Sequence, residues 1–81
     1  MRFMVNQKEY RLEREDVEKR MRGILPEPIA KYYIVVRGRN YPPKQVLSIV
    51  SKIDRIELTT MGAHEILKRL GFDLRAIWSN H

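Results

Sequence analysis

The run Lys31-Tyr-Tyr-Ile-Val-Val-Arg-Gly38 constrains the fold more than any other part of this chain. From Tyr32 to Val36 every side chain is aromatic or β-branched, which suits a pleated backbone. Both faces of such a strand are apolar, so the strand is expected to be central or covered. Gly38 supplies the freedom for a tight turn, and Arg-Asn-Tyr (Arg39–Tyr41) returns as a short second strand. Pro42 and Pro43 follow, and they suit the first turn of a helix, where a missing N–H removes no intrahelical bond.

The rest of the chain reads as cover for this hairpin. Apolar and polar residues alternate on either side of Asn6-Gln7-Lys8, as in a β-hairpin. Glu13, Glu15 and Asp16 then open a helix whose apolar face is Val17, Met21, Ile24 and Leu25, with Gly23 near its end. Pro26 and Pro28 break the chain. The proline-started helix has Val46, Ile49, Val50 and Ile53 on one face and Lys44, Ser48, Ser51, Lys52 and Arg55 on the other. After a loop through Asp54 to Leu58, Thr59 or Thr60 caps a third helix with the stripe Ala63, Ile66, Leu67 and Leu70, which Gly71 stops. Phe72, Leu74, Ala76 and Trp78 alternate as a last strand, with Trp78 as a core anchor, and Met4, Met21 and Met61 read as core filler. The expectation is an α+β domain over residues 1–81, approximately ββαββααβ, with three helices packed on a small, mainly antiparallel sheet.

Composition excludes several function classes. With 81 residues there is one small domain and little room for a deep pocket. There is no Cys, and His64 and His81 are too few and too far apart to suggest a zinc site, so no metal or cofactor is expected. No apolar run approaches the roughly 20 residues of a membrane span, and the N-terminus has no signal-peptide core, so a soluble cytoplasmic domain is expected. Ser48 and Ser51 lack a nucleophile-activating context. The neighbours His64, Glu65, Lys68 and Arg69 read as a solvated helix face with ion pairs. An enzyme is not expected.

The charge is uneven. A net charge of +6 favours a polyanionic partner. Residues 1–30 hold seven cations and six anions, whereas residues 31–81 hold nine and four. From Lys31 to Lys44 there are four cations (Lys31, Arg37, Arg39, Lys44) and no acid. Arg37 and Arg39 flank Gly38 at a turn from which two guanidinium groups can reach phosphates together. Two roles stay open for Tyr41: with Pro42 it forms a small apolar platform inside the cationic rim, or it closes the hairpin onto the core.

The order strand, Gly-Arg-Asn-Tyr-Pro-Pro-Lys-Gln-Val, helix, Leu-Thr-Thr, and a helix ending Ile-Leu-Lys-Arg-Leu-Gly-Phe resembles a small bacterial module with a Tyr-Pro-x-Lys and Leu-Gly-Phe pattern. It is also similar, over roughly residues 32–74, to the core of the sulfur-binding domain of McrA-type restriction endonucleases. That resemblance implies DNA binding centred on Tyr41 and Pro42, the pair that in that family lines a shallow apolar cavity for a backbone sulfur. Gln45, directly after Lys44, departs from the family's pattern, and its longer polar side chain is expected to crowd or re-dress such a cavity.

The candidate nucleic-acid-binding residues are therefore Arg37, Arg39, Asn40, Tyr41, Pro42 and Lys44, with Lys52, Arg55, His64 and Lys68 extending the basic face. The expected partner is DNA, contacted without being cut. The alternative is a protein-interaction module, a small regulator or phage-type inhibitor, docking on an acidic protein surface.

Overall fold

The computed structural model describes residues 1–77. Along them the chain forms β1 (Arg2–Val5), β2 (Lys8–Arg11), α1 (Arg14–Arg20), β3 (Tyr32–Val36), β4 (Arg39–Tyr41), α2 (Pro43–Ser51), a single 3-10 turn at Arg55–Glu57, α3 (Thr60–Arg69) and β5 (Leu74–Ala76). The architecture is α+β.

β3 is central, as its composition requires: it pairs antiparallel with β4 on one edge and with β5 on the other. Ile34 and Val36 are buried, while Tyr32, Tyr33 and Val35 are half-buried, so one face of the sheet meets the core and the other is only partly covered. The single sheet expected from the sequence is in fact two. Both edges of β3 are occupied, and among the described residues β1 and β2 pair only with each other. That separate hairpin turns on Asn6 and Gln7, both left-handed (φ 49° and 67°), and delivers Phe3 to the core, where its ring stacks on Tyr10 at 5.5 Å.

The helices close over the sheet for local reasons. At the start of α1, Asp16 accepts a hydrogen bond from the Glu13 N–H at 2.9 Å, satisfying one of the free donors of the first turn. α2 packs against α1, α3 and β3, and buries Val46, Leu47 and Val50, with Ile53 just beyond its end. Thr59 Oγ1 caps α3 by accepting from the Gly62 N–H at 2.9 Å. Gly71 (φ 98°) ends that helix as expected, with the Phe72 N–H returning to the Leu67 carbonyl and the Gly71 N–H to that of Lys68. Arg14 ties α1 to this end, donating to the Gly71 carbonyl at 2.8 Å with its guanidinium 4.4 Å from the Phe72 ring centroid.

Three details of the sequence reading change. The last strand is shorter than Phe72–Trp78: Phe72 is core, β5 covers Leu74–Ala76, and Trp78 lies outside the described residues, as does His81. Leu25, assigned to the apolar face of the first helix, is exposed. Of the three methionines read as filler, only Met21 is buried. Met4, which shares the outward face of the first hairpin with Glu9, is 62 % exposed, and Met61 in the first turn of α3 is 51 % exposed. No helix of the described residues is long and apolar enough to cross a membrane.

Candidate nucleic-acid interface

The turn between β3 and β4 consists of two residues, Arg37 and Gly38, with Val36 and Arg39 directly opposite each other. Both turn residues are left-handed (φ 50° and 82°), the arrangement that matches the twist of the flanking strands. Glycine takes this conformation freely. An arginine does not, and Asn or Gly is the usual first residue of such a turn.

Beside this turn lies a depression of about 210 Å³ lined by Met21, Arg22, Gly23, Val36, Arg37, Arg39 and Tyr41. Its walls are the buried Met21, Val36 and Tyr41, and three arginines stand over them. None of the described residues lining it is acidic, and none of the three arginines has a carboxylate within ion-pair distance among the described residues. Arg39 donates one N–H to the Ile24 carbonyl at 3.2 Å, which holds the guanidinium while leaving its other four donors for a ligand. Apolar walls beneath cations weaken solvent screening, so the attraction for an anion is stronger here than on a flat surface.

Arg37 and Arg39, expected to act together, line the same depression, and the fold adds Arg22, which the sequence analysis does not single out. A signal existed in Glu-Arg-Glu-Asp-Val-Glu-Lys-Arg-Met-Arg: the acids occupy the start of α1, while Lys19, Arg20 and Arg22 collect at its end. Counting residues 1–30 as charge-balanced averaged that segregation away. The helix dipole favours it, because the C-terminal end of a helix attracts cations.

Tyr41 is not a platform. It is 1 % exposed, and its hydroxyl donates to the Ile24 carbonyl at 2.8 Å, so the ring faces inward and closes the hairpin onto the core. The pairing of Tyr41 with Pro42 on the surface therefore does not occur. What stands beside Pro42, Pro43 and Lys44 is Tyr32, in a separate shallow depression of about 160 Å³ that also includes Lys31 and Thr60. Gln45 is turned inward as well. It is 2 % exposed, and its amide bridges the Leu25-to-Glu27 backbone, donating to the Leu25 carbonyl at 3.0 Å and accepting from the Glu27 N–H at 2.9 Å.

The remaining candidates scatter. Asn40 is exposed on β4 but lines no part of the arginine depression. Arg55 is taken by Glu27 in a two-pronged ion pair, which holds the Glu27 carboxyl below its ordinary value of 4.5 and removes Arg55 from the set of uncommitted cations. Lys52 lines a different depression with Arg11 and Arg20. His64 is half-buried with its Nδ1 covered and without a partner among the described residues, and neither it nor Lys68 lines the arginine depression.

Comparison with curated proteins finds no match, and comparison with solved structures finds none. A family model does match nearly the whole chain, residues 1–80, and the protein belongs to the SCO5918-like family.

Proposed function

We propose that the protein is a small DNA-binding domain that grips the phosphate backbone with Arg22, Arg37 and Arg39. One observation carries this reading: three arginines converge on a concave, acid-free depression, and one of them is held in a left-handed conformation that glycine would take at less cost. Guanidinium groups bind phosphate oxygens through paired N–H donors, and charge-assisted bonds of this kind are the stronger class. Contacts of this type set position on the duplex without reading sequence.

The test is DNA affinity across a salt series for the unmodified protein and for Arg22→Ala, Arg37→Ala and Arg39→Ala. Three phosphate contacts give a slope of log affinity against log salt of about −2.7, and each substitution reduces it by about 0.9. Affinity that is flat in salt, or indifferent to all three substitutions, defeats the proposal.

A second reading, a protein-interaction module, draws on different residues. Met4, Met61 and Ile56 are exposed, the last at 88 %, and Met4 borders a groove of about 280 Å³ whose other lining includes Leu58 and Ile66. Under this reading Met4→Lys and Met61→Lys abolish a stoichiometric complex that survives nuclease treatment, and the three arginine substitutions leave it intact.

A further inference from the structure

The end of α1 contributes to two cationic hollows, one of them the depression that holds Arg22. The other lies between β2 and the ends of α1 and α2. Its volume is about 280 Å³, and it is lined by Tyr10, Arg11, Arg20, Ile49, Val50, Ser51 and Lys52. None of these is acidic, and no carboxylate pairs with Arg11, Arg20 or Lys52 among the described residues.

Arg20 and Lys52 are each placed in a way that solubility alone does not require. Arg20 donates to the Val50 carbonyl at 2.6 Å. That carbonyl is one of the last four of α2, which lack intrahelical partners, so the contact both completes the helix end and fixes the guanidinium with four donors to spare. Lys52 is the C-cap of α2 in a left-handed conformation (φ 56°), where Gly or Asn is the usual choice. Arg11 stands directly opposite Arg2 in the β-hairpin, and Glu9, on the same face, lines a neighbouring depression with both. Ser51 Oγ belongs to a residue of the same wall and is covered, without a hydrogen-bond partner among the described residues.

Among the described non-glycine residues with left-handed backbone, two are cations, Arg37 and Lys52, and each lines one of the two hollows. The C-terminal ends of α1 and α2 each oppose an anion with at most roughly half a negative charge, but three full positive charges and the Arg20 contact outweigh them.

We propose that the Arg11–Arg20–Lys52 hollow is an oxyanion site that takes a phosphate group. That phosphate comes either from a nucleic-acid backbone or from a small phosphorylated molecule, and the site stands whether or not the Arg22–Arg37–Arg39 hollow binds DNA.

The test follows backbone amide signals of the full chain by NMR while inorganic phosphate is added at constant ionic strength held with chloride. Saturable shifts at Arg11, Ser51 and Lys52 are expected, with phosphate affinity falling about tenfold in Lys52→Gly and in Arg11→Gln, the loss of one charge-assisted hydrogen bond. Lys52→Gly suits its backbone conformation and unfolds at no lower temperature, so lost binding in that variant cannot be blamed on lost structure. Shifts that do not saturate, or that are the same in both variants, overturn the proposal. A duplex oligonucleotide added in place of phosphate identifies the source. Shifts at Lys52 that depend on Arg11 support the site with a nucleic-acid backbone as its ligand, and phosphate binding without any duplex effect there supports it with a small phosphorylated ligand.

Discussion

Two halves of one short acid-free segment, Arg37–Asn40 and Tyr41–Gln45, have opposite fates. Arg37, Gly38, Arg39 and Asn40 are exposed, whereas Tyr41 and Gln45 are as buried as the aliphatic core. The deciding element is remote in sequence: the proline-broken segment Ile24–Glu27, which has no regular structure of its own. Its free backbone groups at Ile24, Leu25 and Glu27 need partners, and Tyr41 and Gln45 supply them. A polar side chain beside a cationic turn is therefore no sign of a binding surface when an irregular segment nearby lacks hydrogen bonds.

The strongest way to break this contrast is Gln45→Leu, which keeps the bulk and removes both bridging bonds. Two backbone groups, the Leu25 carbonyl and the Glu27 N–H, then lose their partner in a part-buried site. The expected destabilisation is about 2–4 kcal/mol, read as a melting temperature lower by roughly 10–20 °C in a domain of this size. A change under about 1 kcal/mol would show that water replaces the amide freely and that Gln45 is not what holds the segment.

Tyr41→Phe tests the same support one bond at a time. The ring stays in the core, and the Ile24 carbonyl keeps the Arg39 N–H at 3.2 Å. The loss is about 1 kcal/mol, seen as a lower urea midpoint with an unchanged slope. If Tyr41 were part of the DNA contact, this variant would also bind more weakly; the buried placement predicts unchanged affinity.

These two residues also mark where sequence reading stops. The helices, the strands and the Thr59 and Gly71 helix ends follow from apolar period and capping chemistry, which are local. Gln45 is buried on α2 by packing and polar by composition, and apolar periodicity says nothing about the partners its amide finds. Its role depends on a segment about twenty positions away. The division into two sheets was equally hidden, since pairing depends on which edges of β3 are already filled. At the site, Arg37 and Arg39 were legible because they neighbour each other across a turn. Arg22 was not, because the fold brings it there from the end of α1.

Arg37→Gly sharpens the contrast on its exposed side. Glycine relieves the left-handed strain but gains freedom in the unfolded chain, so the net stabilisation is about 0.5 kcal/mol. Arg37→Ala keeps the strain and brings no such gain. Both variants lose the same charge, and both should shift the salt slope of DNA binding by about 0.9. Equal binding loss with unequal stability separates what the guanidinium does from what the backbone does. If the glycine variant binds as well as the unmodified protein, Arg37 is a turn residue only.

The smallest expected effect concerns the outer tie of the same irregular segment, the Glu27–Arg55 ion pair. The hydrogen bonds from Arg55 are the main cause of the lowered Glu27 pKa. A carboxyl whose folded pKa is depressed contributes stability that is fully present above its unfolded value, near 4.5, and that disappears as pH falls through the lower folded value. Both side chains are more than a third exposed, so solvent screening keeps the contribution below about 1 kcal/mol. The measurement is the stability difference between the unmodified protein and Glu27→Gln, taken from pH 6 down to pH 2 by urea unfolding. The difference should be largest at the upper end and shrink towards zero in acid, and it should shrink at pH 6 when salt is raised. The Gln45 bridge contains no titrating group, so the Gln45→Leu deficit should persist across the same pH range. If instead the two deficits fade together in acid, the segment is held from outside by charge rather than from inside by the buried amide, and the contrast between the two halves of Arg37–Gln45 has another origin.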